Sequence, residues 1–492
     1  ENSTVAGVAG QIGVYNKDYL NPIISAQVFE YKVANCMDKC LESIVGYISV
    51  LPGAFSAYTY RAIAHSAGSE PSPLDEYLKS RELPAEKMLE TMETRPTIQN
   101  MYLAEDRILC FTTFMKAKYA YTMHYIHNAV AETDVPHEAT QLIIQRRRWN
   151  NGALFAQLYA ILHMSALLFT SHGFVRKFVV FLLLIYMVLN LLLGFFVIAI
   201  YYISMYFIIK GTFIDLWDMP LWTWQLVQFP YFIIMTAVVV HSLGTKGPKT
   251  KRVHQTRITF LVAQFYYSLL MIVLFGCAVV QMYSSWDDHV LYKQVLIVGS
   301  VVFYLLAVTL HREILPCLAA WIWYLITLPT FLHLFTIYSY CNLHDVSWGN
   351  RPGTAKTTEQ ARARSIVDRA VSSKRQNQTE LEEEQRKAKK EKELAEIKED
   401  IPNIYAAFRA RWATVWLVLN IGLAAYITSV YEEQRAREDP DTTQLASQFT
   451  VLLFGVVTLL NGTRFLGTLL YLILQFLSFV KRRVCRLTSK AK

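Results

Sequence analysis

The apolar positions of this chain follow two different periods. Up to about residue 150, short apolar stretches alternate with polar ones. Beyond about residue 178, apolar runs of roughly 20 positions follow one another with few charges, the length that spans a bilayer as helix. Val5 to Val14 mixes small and β-branched residues, the pattern of a buried strand in an α/β sheet. Asn21-Pro22 opens a new element. In Ile23–Ser43, Val28, Tyr31 and Ala34 recur at helical spacing between Gln27, Glu30 and Lys32, which predicts a helix. Tyr47 to Leu51 is a β-rich run that ends in a Pro52-Gly53 turn. Ser66 to Ser80 is a polar loop. Lys118 to His127 predicts a second strand and Ala131 to Pro136 a loop. A further helix begins near His137.

In the second half, Asn151–Ser171 is apolar but interrupted by Gln157, His163 and Ser165, as expected of an amphipathic helix at a membrane surface. Arg176 and Lys177 precede a first span over Phe178–Ile209, which is long enough to tilt. Further spans are predicted over Gln225–Leu243, Ile258–Met282, Gln294–Leu310, Ala319–Tyr340, Trp412–Tyr431 and Phe449–Val480. Charges between the early spans place the N-terminal part in the cytoplasm. Carried to the end of the chain, the same rule sets the basic tail Lys481-Arg482-Arg483 on the wrong side. This leaves six or seven spans, with the stretches around Pro316 and Pro329 as candidates for one that does not cross. Thr357–Asp400 is polar throughout, helix-prone and solvated.

Composition agrees with this division. At 53% hydrophobic residues, the chain is too apolar for a soluble two-domain enzyme. The formal charge of +9 lies largely beside apolar segments and does not argue for nucleic acid. Seven scattered cysteines show no zinc spacing. The first residue is not Met and the chain opens inside a strand pattern, so a fragment lacking the N-terminal part is expected.

Three stretches carry candidate chemistry. Gln145-Arg146-Arg147-Arg148-Trp149 stands where the polar half meets the apolar half. Arginine offers forked donors to a diphosphate, and tryptophan a flat face for a pyranose; the same cluster also reads as a basic juxtamembrane anchor. Glu105-Asp106 suits a general base, or an N-cap and first-turn acids complementing a helix dipole. The Pro52-Gly53-Ala54 turn lets backbone approach a ligand, or is an ordinary turn.

Taken together and in order, these stretches resemble the chitin synthases, a branch of the processive family 2 glycosyltransferases. The resemblance rests on Gln27–Lys32, Leu51–Tyr58, Leu103–Arg107, Ala131–Pro136, Gln145–Trp149 and Cys341–Gly349. Ala9-Gly10-Gln11-Ile12, Thr59 and Asn350 depart from the usual pattern and suggest a divergent, oomycete-like or fungal branch. The resemblance implies an incomplete GT-A-like α/β glycosyltransferase fold followed by a multi-span all-α transmembrane domain. The implied layout is the C-terminal part of a cytoplasmic catalytic domain over 1–150, interfacial helices over 151–176 and channel helices over 177–348. A charged segment follows over 349–411, then the last transmembrane helices and a basic tail over 412–492. Asp106 would be the catalytic base, with Glu105 setting its environment. Gln145, Arg148, Trp149, Pro52, Gly53 and Ala54 would bind substrate and acceptor. His344, Asp345, Ser347, Trp348 and Gly349 would belong to a translocation-path element. A divalent Mg or Mn ion would be held by residues upstream of residue 1, with no ligands in this chain. The implied activity is inverting transfer of N-acetylglucosamine from UDP-N-acetylglucosamine to a β-1,4 chitin chain. Implied partners are that donor, the chitin chain, membrane lipid and a second copy in a homodimer, with no nucleic acid, at the plasma membrane. A cellulose- or hyaluronan-synthase-like polymerase, a transporter with a basic domain, and an inactive partner subunit are the rivals.

Overall fold

A computed structural model describes residues 4–64, 71–82, 96–244, 253–284, 291–346, 378–437 and 442–490. Strand β1 (Val5–Val14) has alternating burial and forms the middle of a three-stranded sheet of order β2-β1-β3. Helix α1 (Pro22–Val33) starts where Asn21 caps the amides of Ile23 and Ile24 at 3.0 and 3.3 Å, with Pro22 pre-set for the first turn. A π-turn (Ala34–Asp38) leads into α2 (Lys39–Val45), which Gly46 ends at φ +84°. Tyr47–Leu51 is not a strand. Tyr47, Ile48 and Leu51 are buried in irregular chain, so their apolar character serves the core rather than a ladder. The strand follows the turn instead, as β2 (Ser56–Tyr58), antiparallel to β1.

Short helices α3 (Tyr60–Ala64), α4 (Pro73–Glu82) and α5 (Pro96–Met101) precede a 3-10 turn and α6 (Glu105–Phe114). Strand β3 (Thr122–Thr133) runs parallel to β1 and extends through Ala131–Thr133, a segment expected to be loop. A bulge between Ile126 and Val130 lets those residues pair with Ile12–Val14. Helix α7 (Ala139–Leu162) then runs unbroken through residue 150 and is followed by a 3-10 segment, Met164–Phe169.

The rest is helical: α8 (Phe174–Phe195), α9 (Val197–Met205, continued as a π-helix to Leu216), α10 (Leu221–Gly244), α11 (Val253–Ser284), α12 (Leu291–Leu310), α13 (Ile314–Thr330), α14 (Thr336–Cys341), α15 (Gln378–Ala436) and α16 (Thr442–Lys490). Among the described residues seven helical segments are long and apolar enough to cross a membrane. The single tilted span expected over Phe178–Ile209 is two of them, Phe174–Phe195 and Val197–Leu216, because the backbone leaves helical geometry at Phe196. The stretch holding Pro316 and Pro329 is long enough to cross, since a π-turn at Phe331–Phe335 carries its helix on to Cys341. The architecture is an α/β part with a small three-stranded sheet, joined to a mostly helical part whose long apolar helices suit a membrane domain.

Candidate active site

Asp106 lies in the first turn of α6, partly exposed, with its Oδ1 accepting from the Arg107 amide at 2.9 Å. The cap position is Ala104, which has no side-chain cap bond, so neither Glu105 nor Asp106 is the N-cap. Burial pushes the Asp106 carboxyl above the ordinary carboxylate range, against the opposing pull of Arg107, Lys39 and Arg148. Those three cations come from α6, α2 and α7, which marks the carboxylate as the meeting point of three elements.

The approach of α7 depends on Gly152. A Cβ there would stand 2.9 Å from Ala104 Cβ and 3.0 Å from the Ala104 amide nitrogen. The missing side chain brings the helix carrying Gln145–Trp149 against the turn that presents Asp106. The Leu51–Tyr58 loop is tied to α6, the helix that carries Asp106. Cys110, one turn beyond Asp106, accepts from the Leu51 amide at 3.2 Å and lies 3.3 Å from the Tyr58 hydroxyl. Lys39 donates to the Val50 carbonyl at 2.5 Å. Pro52 closes the turn by accepting from Phe55 N at 3.0 Å, and Gly53 and Ala54 are exposed at its tip. A Cβ on Gly53 would meet open space among the described residues, so none of them demands glycine there.

The three consecutive arginines divide their work. Arg146 makes two bonds to the Glu30 carboxylate, at 2.5 and 2.6 Å, and lies over the Trp149 ring at 4.8 Å. Arg147, almost fully buried, pairs with the Asp345 carboxylate and donates to the Asp345 carbonyl at 2.6 Å. Neither is a lipid-facing anchor. Arg148 is the arginine whose charge reaches Asp106. The Gln145 side-chain oxygen is buried with no hydrogen-bond partner among the described residues.

Residues 339–345 close the other side. Asn151 donates to the Ser339 carbonyl at 3.0 Å, and Asn100, fully buried in α5, donates to the Leu343 carbonyl at 2.8 Å. Burial, with Arg409 and Arg147 nearby, keeps the His344 ring below its usual basicity. Ser347, Trp348 and Gly349 lie outside the described residues. Pro52–Ala54, Glu105-Asp106, Gln145–Trp149 and His344-Asp345 are therefore linked through one contact network.

Residues 1–164 match the family model of a chitin synthase-like glycosyltransferase domain. Over 95% of its length the chain is 33% identical to chitin synthase 1 of the oomycete Phytophthora sojae, covering 48% of that protein. It is 30% identical to chitin synthase 1 of Fusarium oxysporum f. sp. lycopersici over 95% of the chain and 54% of that protein. Chitin synthase I of Metarhizium acridum shares 28% identity over 95% of the chain and 55% of its own length.

The chain carries a chitin synthase-like glycosyltransferase domain.

It spans about half the length of the curated relatives it matches. Two residues that organise the site were given no part in it from the sequence. Cys110 was hidden inside a helix, and Glu30 stands 116 positions from Arg146. Only the four-residue step from Asp106 to Cys110 along one helix face hinted that the cysteine shares the site. The divalent ion that the resemblance implies finds no holder among the described residues, where no three His, Cys, Asp or Glu side chains converge.

Proposed function

We propose that this protein is a processive chitin synthase. It transfers N-acetylglucosamine from UDP-N-acetylglucosamine to the 4-hydroxyl of a growing β-1,4 chain and passes that chain through its membrane helices at the plasma membrane. The observation that carries this reading is the convergence of Asp106, Arg148 and the Gly152 contact midway along α7, where Asn151 also reaches the Ser339 carbonyl of α14.

In this reading Asp106 accepts the proton of the acceptor 4-hydroxyl as the oxygen attacks the anomeric carbon. The raised proton affinity of its carboxyl suits a base working near neutral pH. Attack from the face opposite the leaving diphosphate inverts the anomeric centre. Arg148 supplies positive charge near the diphosphate as its own charge grows. Trp149 presents a ring face for the acceptor pyranose. The Pro52-Gly53-Ala54 tip, free of packing demands, stands open to a sugar. Asp345, held by Arg147, fixes the neighbouring element where the chain would leave. A bound divalent ion would add positive charge at the departing diphosphate.

Asp106→Asn in the full-length protein in lipid vesicles is expected to abolish incorporation of labelled N-acetylglucosamine into polymer while insertion is unchanged. Polymer synthesis at more than about a tenth of the wild-type rate would overturn the assignment, since loss of a general base costs roughly 10²–10⁴-fold. Competition by UDP-glucose tests the sugar, and preferential incorporation of glucose would overturn it.

A further inference from the structure

The Glu30–Arg146 pair ties helix α1 to the site across 116 residues of chain. Two parallel bonds of 2.5 and 2.6 Å hold the end of the Arg146 guanidinium against Glu30, and its buried Nε has no hydrogen-bond partner among the described residues. Arg146 is 7% exposed. Its flat face lies 4.8 Å from the Trp149 ring, three residues on and therefore on the same side of α7. On its other flank stands Phe331, at 5.8 Å, in the π-turn of the membrane domain. The indole thus rests on a cation that cannot turn away, and the carboxylate that prevents it turning is Glu30. Helix α1 is itself pinned. Gln27 donates to the Pro136 carbonyl at 2.8 Å, Lys32 pairs with Glu313 at 2.5 Å, and Phe29 stacks between Tyr304 and Tyr324.

We propose that Glu30 is a positioning residue for acceptor binding: by holding Arg146 bidentately it fixes the plane of Trp149, on which the acceptor sugar stacks. This rests on the reading of Trp149 as the acceptor platform. Glu30 touches no reacting atom, so its effect is expected on how firmly the acceptor is held, not on departure of the donor's diphosphate.

The test uses the full-length protein in lipid vesicles, with added N-acetylglucosamine or its dimer as acceptor. Glu30→Gln keeps the shape of the side chain and removes its charge. It is expected to raise the acceptor KM roughly tenfold. Donor KM and the slow transfer of the sugar to water should stay within about twofold of wild type. Glu30→Asp keeps the charge and is expected to fall between the two. If Glu30 acts through Arg146, the double variant Glu30→Gln with Arg146→Gln is no weaker in acceptor KM than the weaker single one, since residues acting as a unit are non-additive. An unchanged acceptor KM in Glu30→Gln overturns the proposal, as does additive loss in the double variant. Equal loss of transfer to acceptor and to water also overturns it, because a merely structural role would produce that result. If Glu30→Gln does not insert, Glu30→Asp and Arg146→Lys carry the same comparison. An active Asp106→Asn would defeat the underlying enzyme assignment. An inactive Asp106→Asn beside an unaltered Glu30→Gln defeats the positioning role alone.

Discussion

Asp106 is the residue at which stability and chemistry pull apart. Burial raises the proton affinity of its carboxyl, so the ionised form is held at a cost in the folded protein. For an acid of raised folded-state pKa, that cost is absent below the ordinary value of about 3.9 and complete above the raised one. Asp106→Asn is therefore expected to raise the thermal midpoint at pH 7 while removing activity. The gain should fade as pH falls toward about 4; melting curves at several pH values check it, and a lower midpoint at pH 7 would contradict it. Wild-type polymer synthesis should lose activity on the acid side at a pH above the usual carboxylate range. Gly152 gives a prediction of a different kind. The Cβ of Gly152→Ala would fall inside contact distance of both Ala104 Cβ and the Ala104 amide, so a helix must shift. Overpacking of that sort costs about 1–3 kcal/mol. The shift also moves Arg148 away from Asp106, so activity should fall further than the stability loss alone explains.

At the scale of elements, the turn between α12 and α13 shows how the membrane part is locked to the sheet. His311 is buried there, its Nε2 3.7 Å from Cys40 Sγ on α2 and its ring 4.7 Å from that of His127 in the β3 bulge. Arg312, at φ +60°, turns the chain so that Glu313 reaches Lys32 on α1. Burial, reinforced by His127, pushes the His311 pKa down to about 4, while Glu313 and the Cys36 backbone pull the other way. A base whose folded-state pKa is lowered gives stability that is present above its ordinary value and lost as pH falls through the window down to the folded value. The docked turn should lose up to about 3 kcal/mol between roughly pH 6.5 and pH 4. Hydrogen exchange at residues 308–313 would report it, and His311→Gln should flatten the dependence. The turn also shows where sequence reading stops. The strand Val5–Val14 and the helix after Asn21-Pro22 were legible because period, cap and proline coincide in a few residues. The break at Phe196 was not, because both sides are equally apolar and no proline or charge marks it. Asp106 and Trp149 were legible as motif residues. Their alignment by Gly152, Cys110 and Glu30 depends on contacts between distant elements, which no local period records.

At the scale of the whole molecule, α16 returns from the last part of the chain to the N-terminal α/β part. Arg464 pairs with Asp38 through bonds of 2.6 and 2.9 Å, Thr468 donates to the Cys36 carbonyl at 2.7 Å, and Tyr471 donates to the Tyr125 carbonyl at 3.0 Å. Between these bonds Gly467 lies against Leu41, so closely that a Cβ would stand 2.6 Å from the Leu41 Cα. Magnitudes decide which contact matters more. The Asp38 side chain is 40% exposed, so water can take over when its partner is lost; Arg464→Met should cost only about 1 kcal/mol. A side chain at 467 has no such release, because the obstacle is backbone. Gly467→Leu should force α16 off α2 and break the Thr468 and Tyr471 bonds with it, a loss of several times that size. Because α2 carries Lys39, whose charge reaches Asp106, the displaced helix should also lower polymer synthesis. Thermal unfolding and polymer assays on the two variants side by side check the ranking. If Arg464→Met proves the more damaging, the docking is electrostatic and the close helix approach at Gly467 is incidental to it.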